Sequence, residues 1–91
     1  MTESVVYQVG GPEVAWRQAG DEIVVLDHRT AVYFGLDRSA ALLWQRLLAG
    51  ATLDELVATL TTETRVDRQR ATEDVRRFLD ELADNSLLRR A

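Results

Sequence analysis

His28 is the one imidazole in the chain and stands beside Asp27, so any general base or base-activated nucleophile would have to be built there. The hydroxyl partners do not suit. Ser4, Ser39 and Ser86 are far from His28 in sequence, and the latter two fall where helix ends are expected. His28 itself falls on a turn and reads as a solvated residue. The absence of cysteine removes a thiol nucleophile, a thiolate metal site and a disulfide framework. One histidine among scattered carboxylates is a poor metal set, because hard cations need several converging oxygens. No glycine-rich loop opens a helix to cradle a phosphate. The chemistry-bearing residues point away from catalysis, and neither a cofactor nor a metal is expected.

The elements that position them follow from length and pattern. Ninety-one residues, 46% hydrophobic and 29% charged, suit one small domain with one core. The first four residues, Met1 to Ser4, lack the basic start and apolar core of a signal peptide. No apolar run approaches the roughly 18 residues of a membrane span. A cytoplasmic location is therefore expected. The net charge of −4, with every basic residue an arginine, argues against nucleic acid or an anionic membrane as partner.

Residues 1–12 read as a lead-in, flexible or forming an edge strand, because Gly10-Gly11-Pro12 breaks regular structure. Residues 13–91 read as the single folded domain. In Glu13–Gln18, Val14 and Trp16 share one face. Ala19-Gly20-Asp21 turns the chain into a more continuous apolar strand, Glu22–Asp27. His28-Arg29 leads to a third strand, Thr30–Leu36, which is β-branched and aromatic. Such a three-stranded antiparallel meander needs a cover on one face.

Three helices supply it, which makes the fold class α+β. Asp37 or Ser39 can cap a helix with an apolar stripe at Ala40, Leu43, Trp44, Leu47 and Leu48, ended by Gly50 in a left-handed cap. Thr52 and Glu55 form a capping box ahead of Leu53, Leu56, Val57 and Leu60. Thr61–Arg65 reads as a polar connection. Asp67 can start a third helix whose Ala71, Val75, Phe78 and Leu82 face the core. Its basic residues Arg68, Arg70, Arg76 and Arg77 are outnumbered by acidic ones. Pairs such as Glu73–Arg77 and Arg76–Asp80 explain them as helix support, not as a DNA-reading surface. Asn85-Ser86 closes the helix, and Leu87-Leu88 tuck back.

A strand that runs straight into helices is the last of its sheet, so its outer rim of N–H and C=O groups is open unless Glu13–Gln18 pairs with it. Leu79 stands one position round from the core stripe, next to Thr72 and Arg76, where it either fills the core or forms a shoulder that borders the sheet. An apolar shoulder above an open edge describes a groove, and a groove beside an open edge suits an extended peptide added as a strand.

The strand end Val32-Tyr33-Phe34-Gly35-Leu36-Asp37 and the helix Leu43-Trp44-Gln45-Arg46-Leu47-Leu48-Ala49-Gly50 resemble the PqqD family. So do Thr52-Leu53-Asp54-Glu55-Leu56 and the closing Asp74-Val75-Arg76-Arg77-Phe78-Leu79-Asp80-Glu81-Leu82, and the likeness covers roughly residues 13 to 89. The resemblance implies a winged helix-turn-helix-like domain that recognises the leader of a ribosomally made, modified precursor peptide. It further implies a discrete recognition protein, as in lasso-peptide biosynthesis, working beside a separate cysteine protease-like leader peptidase and a cyclase. By position, Ala31, Val32, Tyr33 and Phe34 would face or flank the leader. Thr72, Val75, Arg76 and Leu79 would form the helix wall. Two rival readings are a small winged-helix DNA-binding regulator and a non-catalytic docking subunit of an enzyme.

Overall fold

The computed structural model describes residues 4–91; residues 1–3, part of the expected lead-in, lie outside the described residues. The element order is β1 (Val6–Gln8), β2 (Val14–Ala19), β3 (Glu22–Asp27), β4 (Val32–Leu36), α1 (Arg38–Ala49), β5 (Ala51–Thr52), α2 (Leu53–Thr64), α3 (Arg68–Asp84) and β6 (Arg89–Arg90). The meander expected from the sequence is present as an antiparallel sheet in the order β2-β3-β4, and three helices follow it. Gly20, at φ +64, makes the first hairpin turn possible because it adopts a left-handed conformation without steric cost.

The register sorts each strand into two faces. Val14, Trp16 and Gln18 pair with Asp27, Val25 and Ile23, and these pair with Val32, Phe34 and Leu36. This face holds the buried Ile23, Val25 and Leu36 and is turned toward the helices. The other face carries Val24, Leu26, Tyr33 and Gly35. Tyr33 is 69% exposed there.

Helix caps are set as the residue types require. Asp37 accepts the Ala40 backbone N–H at 3.0 Å and begins α1. In the capping box, the Thr52 hydroxyl accepts the Glu55 N–H at 3.2 Å, and the Glu55 carboxylate accepts the Thr52 N–H at 2.8 Å. Asp67 accepts the Arg70 N–H at 2.8 Å and begins α3.

Several boundaries differ from expectation. Helix α2 continues through Thr64 and stops at Arg65, φ +60, so Thr61–Thr64 is helical. The hydroxyls of Thr61 and Thr64 donate to the carbonyls of Ala58 and Leu60, which lets these polar residues stay within the helix. Gly50 has φ +100 and ψ 132, a positive-φ cap outside the left-handed helical region. On α1 the stripe is Ala41, Leu43, Trp44 and Leu47, with Ala40 and Leu48 only half-buried. On α3 the ion pairs are Arg70–Asp74 and Arg77–Asp74 in place of the expected Glu73–Arg77 and Arg76–Asp80.

Val6–Gln8 does not extend the meander. It is the middle strand of a second small sheet, β5-β1-β6, and pairs antiparallel with both neighbours. Val9 explains the attachment: it is 1% exposed, and its N–H donates to the Leu47 carbonyl at 3.1 Å. Burying a valine stabilises by about 1.5–3 kcal/mol, and pairing with β5 and β6 on both sides adds to it. The core beneath both sheets centres on Trp44, with Ile23, Leu43, Leu47, Leu56, Leu60, Val57 and Val75.

Candidate functional site: the groove between β4 and α3

Among the described residues, strand β4 pairs with β3 alone, which leaves its other rim open. Beside that rim, β4 and α3 enclose a hollow of about 290 Å³ lined by Phe34, Leu36, Trp44, Phe78, Glu81 and Asn85, among others. The period-2 alternation of β4 explains its half of the lining. Phe34 and Leu36 turn inward, while Tyr33 reaches the hollow from the outward-facing position. On α3, Phe78, Glu81, Leu82 and Asn85 recur at helical spacing and form one wall.

Two further hollows continue this one. Toward the β3–β4 turn, about 330 Å³ is lined by Asp27, Arg29, Val32, Phe34, Asp84 and Asn85. Toward the start of α1, about 360 Å³ is lined by Asp37, Ser39, Arg70, Asp74, Phe78 and Glu81. Phe34 and Asn85 are shared with the first, Phe78 and Glu81 with the second. The result is a groove that is apolar at the centre and charged at both ends. A hollow of about 630 Å³ lies between α1 and α2, lined by Gln45, Arg46, Glu55, Thr59, Thr62 and Glu63. It is larger but borders no open strand, so the site is placed at β4.

The residues expected at the site are distributed unequally. Val32, Tyr33 and Phe34 line the groove or its turn-side extension. Ala31 does not belong to the strand. It is the last residue of the turn, at φ +58, and its N–H donates to the Asp27 carbonyl at 2.8 Å. A left-handed residue closes this tight turn, so the chain becomes extended only at Val32.

The expected helix wall does not line this hollow. Val75 is fully buried and Leu79 is 7% exposed, both within the core. Thr72 donates its hydroxyl to the Arg68 carbonyl, and Arg76 is exposed. None of these four lines the hollow beside β4. At about 100° per residue, Leu79 is rotated about 100° from Phe78 and Arg76 about 160°. Phe78, Glu81 and Asn85 line the hollow instead.

Two features were missed. Asp27 is 1% exposed, the one buried charged residue among those described. Its carboxylate accepts from Arg29 Nε at 3.0 Å and Nη2 at 2.9 Å, and from the Arg29 backbone N–H at 2.9 Å. The hydrogen bonds from Arg29 hold the Asp27 carboxyl below its ordinary value, outweighing the upward push of burial. The sequence signal was present, since Asp27 continues the inward alternation of Ile23 and Val25. The second feature is Trp44, whose buried indole Nε1 finds no acceptor among the described residues although the side chain forms part of the groove wall. A buried donor left unpaired costs about 1–3 kcal/mol.

Among the described residues, no group of three metal-ligating side chains converges, and no helix is long and apolar enough to cross a membrane. No curated protein matches the chain. Among solved structures, "TbiB1 in Complex with the TbiA(beta) Leader Peptide" is 34% identical with a TM-score of 0.80, over 89% of this chain and 93% of that one. "Lasso peptide synthetase B1 complexed with the leader peptide" is 31% identical with a TM-score of 0.79, over 91% of this chain and 96% of that one. Residues 22–88 match the family described as Coenzyme PQQ synthesis protein D (PqqD). The strands and helices that build the groove fall within that match, and the chain belongs to the PqqD family.

Proposed function

We propose that this protein binds the leader segment of a ribosomally made precursor peptide, as a recognition element of lasso-peptide maturation. The leader adds as an antiparallel strand to the open rim of β4. The observation that carries the reading is the juxtaposition of that unpaired rim with an apolar groove. The two solved relatives, each bound to a leader peptide, support it. Strand addition draws affinity from main-chain hydrogen bonds and specificity from pockets for alternate side chains. Phe34, Phe78 and Leu82 offer the apolar contact that offsets the cost of ordering a disordered segment.

The protein adds no covalent chemistry of its own. It raises the concentration of the precursor at a separate leader peptidase and a cyclase. The test is titration with leader segments of precursor peptides encoded beside it, followed by amide hydrogen exchange. Exchange should slow over Val32–Leu36 and stay unchanged along the rim of β2. Protection confined to α2, or turnover of a precursor by the purified protein alone, would refute the reading.

A further inference from the structure

At one end of the groove, a single side chain among the described residues ties the sheet to the end of α3. Arg29 sits in the turn between β3 and β4. It grips Asp27 through Nε and Nη2, and the same Nη2 donates to the Ser86 carbonyl just beyond α3, at 3.0 Å. Nε also lies 3.6 Å from Glu13 Oε2, ahead of β2. The partner on the helix side is fixed as well. Ser86 adopts φ +58, and the N–H of Leu87 returns to the Leu82 carbonyl at 2.8 Å, so the Ser86 carbonyl is held in a closed helix end.

Asp84 and Asn85 line the hollow opposite Val32 and Phe34 without a hydrogen bond from them to β4 among the described residues. Arg29 is therefore the polar link that sets how far the end of α3 stands from the start of β4. We infer that Arg29 is a positioning residue for the groove, holding the Ser86 end of α3 at the spacing at which an added strand meets both β4 and the α3 wall. The inference rests on the leader-binding reading and deepens it.

Guanidinium chemistry decides the test. A lysine could neutralise Asp27, but its single nitrogen cannot occupy the Nε and Nη2 positions at once, so it cannot grip both carboxylate oxygens and still sit at the Ser86 carbonyl. If Arg29 served only to neutralise a buried charge, Arg29→Lys would restore everything. The inference expects otherwise. Arg29→Lys should keep a cooperative melt near that of the wild type. Amide exchange at Asn85–Leu87 in the free protein should quicken about tenfold, and affinity for a leader that the wild type binds should fall about tenfold. The double variant Asp27→Asn/Arg29→Gln, which leaves no buried charge unpaired, should lose affinity similarly. Wild-type affinity in both variants overturns the inference and leaves the binding reading intact. Failure of the wild type to bind any of the encoded leaders overturns both.

Discussion

Phe78 and Leu79 are neighbours in sequence and both belong to the buried core, yet only Phe78 also lines the groove beside β4. The distinction reverses what a shoulder position for Leu79 would mean. A carboxylate there would be largely cut off from water. Leu79→Asp should abolish the cooperative thermal melt, costing more than about 4 kcal/mol, a large part of a small domain's stability. Leu82→Asp should do the same. A native-like circular dichroism spectrum for Leu79→Asp would show that its burial is misplaced.

Groove residues should separate from residues on the opposite flank of α3. Phe34→Ala removes the aromatic face shared by two of the hollows. It should weaken leader binding by about 2 kcal/mol, some 30-fold. Arg76→Ala and Thr72→Ala should leave affinity within about twofold, as expected for side chains outside a binding patch. Isothermal titration at a temperature where each variant is folded checks both, and a large loss from Arg76→Ala would return the wall to that flank.

The helix cap offers a stability change at a distance from the groove. Thr52→Ala removes the hydroxyl that accepts the Glu55 N–H. It should cost about 1 kcal/mol, lowering the melting temperature by about 4–8 °C for a domain of this size. Leader affinity should be unchanged.

Acid sensitivity follows from two carboxylates. Asp27 is held below its ordinary value by the Arg29 hydrogen bonds, and Glu55 by the hydrogen bonds from Thr52. In the range where the free groups take up protons, the unfolded chain therefore binds more than the folded one. The stability each provides is complete above that range and lost as pH falls through the lower folded values. Urea midpoints should be flat near neutrality and fall steadily below about pH 4.5, where free carboxylates titrate. Glu55→Gln should lower the neutral plateau slightly and make the acid decline shallower.

Local patterns carried most of this fold in the sequence. The period-2 alternation placed the meander, and Asp37, Thr52 and Asp67 announced the three helix starts. The open rim of β4 was legible because helices follow that strand directly. The α3 wall was not. Helical periodicity gives the width of an apolar arc, yet the rim with Phe78 and Glu81 and the rim with Leu79 and Thr72 flank it almost symmetrically. Only the packing of the helix decides which rim meets the sheet. The second sheet was hidden for another reason: β5 and β6 are two residues each, too short for any period to register. Ala31 shows how a turn overrides propensity, since closing it requires a positive φ that an alanine rarely adopts.

That second sheet has a consequence for how the chain folds. Tyr7 pairs with Arg90 and Gln8 with Arg89, and the Ala91 N–H donates to the Val6 carbonyl. These partners lie about 80 residues apart in the sequence, so the entropy of closing a loop of that length must be overcome before the pairing returns anything. The hairpins and the α2–α3 pair close over short separations and have no such delay. On the ribosome the meander and helices can therefore collapse while Val6–Val9 still lacks one neighbour. The seam between β1 and β6 is sewn only when Arg89 and Arg90 arrive.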